Sequence, residues 1–183
     1  MSNMYNIVTP FVARWEGYVG SPYFCPTGHL TIGYGTLVKR GKSYGGISGG
    51  QIIHIAKQIK QEHRGLSRSV HNQFLQNYYG NLMREADAMA YLERSLRSFW
   101  RQIAPFLPQG LTDNQCAAVL SLAYNIGVSA FKSSTALKRM HSGNMRGAAD
   151  AITWWNKGRI NGRMQVISGL NRRRLEEKRL FLA

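Results

Sequence analysis

A carboxyl group, a thiol and several hydroxyls stand close together near the front of this chain, in WEGYVGSPYFCPTGHLTIGYGT, residues 15–36. Glu16 is the only acid in the first 61 residues and lies where an aromatic-rich pattern runs into glycines. A carboxyl group among side chains such as Trp15, Tyr18 and Tyr34 tends to keep its proton, as a general acid near neutral pH must. Cys25 is either a small apolar filler or, as thiolate, a base or nucleophile. Thr31 carries a hydroxyl that can hold a water. The plainer reading of Glu16 is a surface carboxylate on a helix.

These groups need a helix to carry Glu16 and a turn between strands to carry Cys25 and Thr31. Thr9 and Pro10 read as N-cap and first helical residue, with Phe11, Val12, Trp15, Tyr18 and Val19 on one face. Gly17, Gly20, Ser21 and Pro22 end that helix. In YFCPTGHLTIGYGTLVKRG the turn residues Pro26, Thr27 and Gly28 separate two β-prone runs, predicting a small antiparallel hairpin or meander. From Ser48, the residues Ile52, Ile53, Ile55, Ala56 and Ile59 mark a basic amphipathic helix closed by Gly65, followed by a polar connection to about Gly80.

A long helix is predicted from about Leu82 to Ile103, with Met89, Leu92, Leu96, Phe99 and Ile103 as its stripe and Pro105 and Pro108 beyond its end. Thr112 and Gln115 form a capping box, with Leu111 and Cys116 in hydrophobic-staple positions, so Cys116 reads as a packing residue. Gly127 is the C-cap of that helix. Further helices are expected over Ser134 to His141, Asn144 to Trp155 and Ser168 to Leu182, each opened by an N-cap residue. Six or seven helices and one small sheet make an α+β, mainly helical, two-lobed single domain over residues 1–183.

Charge narrows the partners. The 24 Lys and Arg against 9 Asp and Glu give a formal +15, with residues 37–80 and 157–183 each at +6. A polyanionic partner fits: nucleic acid, an anionic membrane surface or an acidic wall polymer. Two distant cysteines without a CxxC or a His pair indicate neither a zinc site nor a disulfide framework, and no metal or cofactor is implied. The front of the chain lacks the apolar run of a signal peptide.

The stretch from Glu16 to Gly35 resembles the active-site signature of the phage-type lysozymes, the glycoside hydrolase family 24 endolysin muramidases. That signature is a Glu-Gly pair, an Asp after eight intervening residues, and a Thr-Ile-Gly-x-Gly strand. Glu16-Gly17 and Thr31-Ile32-Gly33-Tyr34-Gly35 match, and the Asp position falls on Cys25. LTDNQCAAVLSLAYNIGVSAFKSSTALKRM resembles the family's central helix and substrate-facing turn, with Asn125, Gly127, Phe131, Ser134 and Thr135 in matching places. AADAITWWNKG and SGLNRRRLEEKRLFL resemble its last two segments. Residues 37–80 depart from the family as an apparent basic insertion of one helix among loops, which either grips anionic polymer or only enlarges the front lobe.

The resemblance implies a two-lobed lysozyme that hydrolyses the β-1,4 bond between N-acetylmuramic acid and N-acetylglucosamine in peptidoglycan at the end of phage infection. Glu16 would protonate the leaving oxygen, Thr31 would hold a water, and Cys25 would take the Asp's part as thiolate base or nucleophile, or leave the work to the other two. An Arg of the last segment, Arg172 or Arg173, would pair with the catalytic Glu. Asn125, Phe131, Ser134 and Thr135 would face substrate, although helix caps and core positions suit the polar ones equally well. The expected enzyme is a monomer, made in the cytoplasm and released through a holin-type lesion, with wall polymers or lipopolysaccharide as anionic contacts. Two rivals stand beside it: a basic nucleic-acid-binding protein, and a Cys-dependent wall amidase or peptidase pairing Cys25 with His29.

Overall fold

The computed structural model describes residues 2–160 and 162–183. The chain divides into two compact units, residues 16–92 and residues 1–15 with 93–183.

The unit of residues 16–92 begins with an antiparallel meander of β1 (Val19–Phe24), β2 (Leu30–Gly33) and β3 (Thr36–Leu37). Tyr23 faces Thr31 and Phe24 faces Leu30 across β1 and β2, while Val19 faces Gly33 beyond an irregularity in the register. Gly33 has φ +66°, and a Cβ there would sit 2.9 Å from that of Ala88, so strand and neighbouring helix approach only because this residue has no side chain. β4 (Ser43–Tyr44) and β5 (Ile47–Ser48) form a hairpin about Gly45-Gly46, both at positive φ as a tight two-residue loop demands. Ser48 then caps α2 (Gly49–Glu62) in a capping box with Gln51.

The expected connection to Gly80 is instead a helix, α3 (Arg68–Tyr79), opened by Ser67, whose hydroxyl accepts from Val70 N. Its Ser, Asn and Gln content hid a sparse inward face of His71 and Leu75, four residues apart. Residues 37–80 therefore hold a hairpin and two helices rather than one helix among loops. Ala56 and Ile59 of α2 and Leu75 of α3 form a small core, against which Phe24 and Leu30 of the meander pack.

In the other unit, α1 (Ser2–Glu16) starts eight residues before Pro10. Met4, Tyr5, Val8, Val12 and Ala13 are buried, and this stripe overrides the proline as a helix start. Pro10 and Asn6 lie on the exposed side, where the carbonyl left without its i+4 donor meets water. α4 (Glu85–Ile103) is followed by a 3₁₀ turn at Ala104–Phe106. α5 (Asp113–Ile126) carries the expected Thr112–Gln115 capping box and ends at Gly127, φ +89°.

Then come α6 (Val128–Lys132), α7 (Thr135–His141) and α8 (Met145–Ile152), with Ser134 and Asn144 as side-chain caps of the last two. α8 stops three residues short of Trp155, and a hairpin of β6 (Lys157–Ile160) and β7 (Arg163–Val166) follows. The described residues thus hold nine α-helices and three small sheets, more than expected. β7 is exposed throughout, so no apolar alternation announces it. α9 (Ser168–Leu182) has Ile167, without a capping side chain, at its N-cap, and Ser168 is already helical.

α9 packs along α5 through a buried polar cluster. Glu177 is 0% exposed and accepts from Ser121 Oγ at 2.6 Å, Arg173 Nε at 3.2 Å and Arg174 Nη1. Arg174, also 0% exposed, donates from Nε to the Trp155 carbonyl at 3.0 Å and from Nη2 to Asn125 Oδ1. Removing the carboxylate leaves buried guanidinium charge behind. Glu177→Ala is expected to lower the unfolding free energy by about 3–5 kcal/mol in denaturant titration. Glu176→Ala, which breaks the exposed pair with Arg14, is expected to change it by less than about 1 kcal/mol.

Candidate active site

Glu16, Cys25 and Thr31 all belong to the unit of residues 16–92. Glu16 is the last residue of α1 and is half-buried. Gly17, at φ +72°, turns the chain out of the helix, and β1 begins two residues later. The start of β1 is pinned by the segment before α4: Met83 N donates to Gly20 O at 2.9 Å, and Tyr18 Oη donates to Asn81 Oδ1 at 2.8 Å and to Met83 O. Tyr18 and Tyr34 lie ring to ring at 5.7 Å. Tyr34 donates to Glu85 Oε1 at 2.6 Å; burial first, and this bond second, push its phenol up to about 12.

Cys25 opens a four-residue turn. Gly28 N donates to Cys25 O at 2.8 Å, Pro26 and Thr27 occupy the centre, and Cys25 N donates to His29 O at 2.9 Å. The fold of the turn brings donors to the sulfur, with Thr27 Oγ1 at 3.0 Å from Sγ. Partial burial pushes the thiol's pKa up. Hydrogen bonds from the Thr27 side chain and from the backbone at Thr27, His29 and Gly28 together outweigh it, so the pKa falls below the ordinary thiol value. These neutral donors move the thiol towards ionisation. Among the described residues the His29 ring makes no hydrogen bond to Cys25 Sγ, so the geometry of a Cys–His pair is absent.

A side chain that the sequence reading missed holds this turn in place. Asn72, on α3, accepts from Phe24 N at 2.7 Å through Oδ1 and donates to Phe24 O at 3.1 Å through Nδ2. The amide satisfies the residue immediately before Cys25 as a neighbouring strand would. The available signal was an Asn one residue from the inward-facing His71, which becomes meaningful only once residues 68–79 are helical.

Thr31 lies on β2, directly opposite Tyr23, and is 3% exposed. Its hydroxyl donates to the Tyr23 carbonyl at 3.2 Å, which leaves the oxygen's lone pairs to accept. Cys25, in the turn just past β1, thus lies two residues beyond Tyr23, the partner of Thr31.

The other candidate residues belong to the second unit, in four different settings. Phe131 is 0% exposed and Ser134 caps α7 through its hydroxyl to Leu137 N, so both serve packing and capping rather than offering a surface to a ligand. Asn125 is exposed but tied by Oδ1 to Arg174, and Thr135 is half-buried at the first turn of α7. Arg173 is 4% exposed within the Glu177 cluster. Arg172 is exposed and lines a cavity of about 280 Å³ with Arg14, Trp15 and Glu176. Cys116 is half-buried, and burial pushes its thiol up, as suits a packing role. Among the described residues no group of three or more His, Cys, Asp or Glu is placed to hold a metal, and no helix is long and apolar enough to cross a membrane.

Comparison with known proteins identifies the family of the chain. The profile of the phage lysozyme family matches residues 13–177. An endolysin of Acyrthosiphon pisum secondary endosymbiont phage 1 is 28% identical over 170 residues, 93% of this chain and 91% of its own length. The solved endolysin of Escherichia coli O157:H7 phage FAHEc1 superposes with a TM-score of 0.68 at 26% identity, over 95% of this chain and 89% of its own. The muramidase domain of SpmX from Asticaccaulis excentricus gives 0.69 at 26% identity, over 96% and 94%. With a Glu at the end of its first helix, a hydrogen-bonded thiol in the following turn and a Thr on the next strand, the chain belongs to the phage lysozyme family and is a peptidoglycan-hydrolysing enzyme of the endolysin type.

Proposed function

We propose that this enzyme cleaves the β-1,4 bond between N-acetylmuramic acid and N-acetylglucosamine with Glu16 as general acid, Cys25 as the base that activates water, and Thr31 as the group that holds that water. The observation that carries the assignment is the Cys25 turn, whose donors favour sulfur as an anion. Glu16 gives its proton to the departing glycosidic oxygen, which leaves poorly as an alkoxide. A water accepted by Thr31 loses its proton to the Cys25 thiolate as its oxygen attacks the anomeric carbon from the opposite face. The products are a reducing sugar of inverted configuration and a free hydroxyl, with Glu16 ionised and Cys25 protonated until solvent exchanges the proton back.

Asn125, Thr135 and Arg172 are proposed to bind substrate. Asn125 retains its NH₂ group, Thr135 its hydroxyl and Arg172 its exposed guanidinium. Arg173, held in the Glu177 cluster, contributes through the stiffness of α9. The same reading has the enzyme working alone, as a monomer, on the wall after release through a holin-type lesion. Its +15 charge favours retention on anionic wall or outer-membrane polymers, to be seen as salt-sensitive cell binding.

Four measurements test these roles. Glu16→Gln is expected to reduce release of reducing ends from purified sacculi by about 10²-fold or more while leaving the fold intact; full activity in this variant removes the mechanism. Proton NMR of the first product is expected to show the inverted anomer, and the retained anomer would make Cys25 a nucleophile instead.

Wild-type activity should disappear on the acid side as Cys25 takes up its proton, because only the thiolate is a base. Cys25→Asp is expected to shift that limb to lower pH, since a carboxylate ionises well below a thiol; an unmoved limb assigns it to another group. Asn72→Ala is expected to lower kcat by about tenfold with KM nearly unchanged, since it frees the turn and touches no substrate. A change confined to KM would contradict a positioning role.

A further inference from the structure

Residues 37–80 contain a groove that the catalytic reading does not use. Its volume is about 520 Å³, and it is lined by Ile47 of β5, Gln51, His54 and Ile55 of α2, and Tyr78 and Tyr79 at the end of α3. The size is that of an ordinary small-ligand site. Two further lining residues, Gly46 and Gly50, have no side chain, so the backbone itself is open to approach there.

The lining is informative for what it omits. The segment carries seven Lys and Arg, yet none of them, and no acid, lines the groove. A polyanion would be met by cations, so the groove suits a neutral ligand with both apolar faces and hydrogen-bonding edges. Tyr78 is 63% exposed, a large aromatic surface left facing water, and its ring stands edge-on to Tyr79 at 4.8 Å between centroids. The Tyr79 hydroxyl is buried and, among the described residues, has no hydrogen-bond partner. Burial, with Tyr78 adding to it, holds that phenol at about 12, so it stays a neutral O–H. Gln51 spends its Oε1 on the Ser48 cap, accepting from Ser48 N and Oγ, which leaves its NH₂ to donate.

We propose that this groove is an accessory carbohydrate site, taking a pyranose of an N-acetylated glycan with Tyr78 as the stacking face, Tyr79 as the wall behind it, and Gln51 and His54 as its hydrogen-bonding edge. The identity of the glycan rests on the peptidoglycan reading, and the site gives the enzyme a hold on its polymer that does not involve Glu16, Cys25 or Thr31.

The test uses the full chain carrying Glu16→Gln, so that the probe is not cleaved, titrated with the soluble trimer of β-1,4-linked N-acetylglucosamine and followed by two-dimensional amide NMR. Saturable shifts are expected at Gln51, His54 and Tyr78. Adding Tyr78→Ala or His54→Ala should weaken binding read at the remaining groove signals, by ~10-fold for the tyrosine. Shifts confined to residues 16–35, or none in the groove, overturn the proposal. So does a groove that answers to short-chain polyphosphate and not to the trimer. Reducing-end release by the wild-type enzyme is scored separately, so loss of the muramidase reading and loss of the groove are told apart.

Discussion

Glu177 is the fixed point of the unit that carries the two ends of the chain. A carboxylate with no solvent exposure, answered by Ser121 from α5 and by Arg173 and Arg174 from its own helix, admits one register of α9 on α5. A shift along either helix would leave the arginine pairs within α9 intact but would part the carboxylate from Ser121 and Arg174 from Asn125, and a buried charged group that loses a hydrogen bond costs more than a mismatched apolar contact. The cluster also reaches outward, because Arg174 holds the Trp155 carbonyl and the Asn125 amide.

The active-site turn solves a different problem with weaker means. A family that ordinarily uses a carboxylate here has a ready anion, whereas a thiol must be persuaded to ionise. The turn at Cys25 lowers the thiol's pKa with neutral donors: one hydroxyl and a set of backbone amides drawn together by Pro26, Thr27 and Gly28. Since these donors are mostly main chain, the chemistry depends on the turn's shape more than on any neighbouring side chain. The shape depends in turn on the paired strands before and after it and on the Asn72 amide behind Phe24.

Much of this was legible beforehand where local chemistry decides the outcome. The capping box at Thr112, the glycine at 127 and the turn at residues 25–28 are each short signals with a local cause, and each is where expected. Legibility failed where tertiary contacts override local preference. Pro10 suggested a helix start, but the buried stripe from Met4 to Ala13 carries α1 through it. α3 has too few apolar residues to declare itself, and β7 lies too exposed to alternate. Of the site residues, sequence position could name Arg173 and Phe131 but could not show that one is held in an ion cluster and the other wholly enclosed.

The segment of residues 37–80 reads as extra length, the part a protein engineer would trim to make a minimal enzyme. Its second helix nevertheless supplies the amide that stands in for a missing strand beside Phe24, and its core residues pack against Phe24 and Leu30 on either side of the turn. What looks like an appendage is a buttress for the thiol. A shortened version that preserved every residue of the signature would lose the wall that the signature leans on, so the smallest working catalyst is larger than its motif.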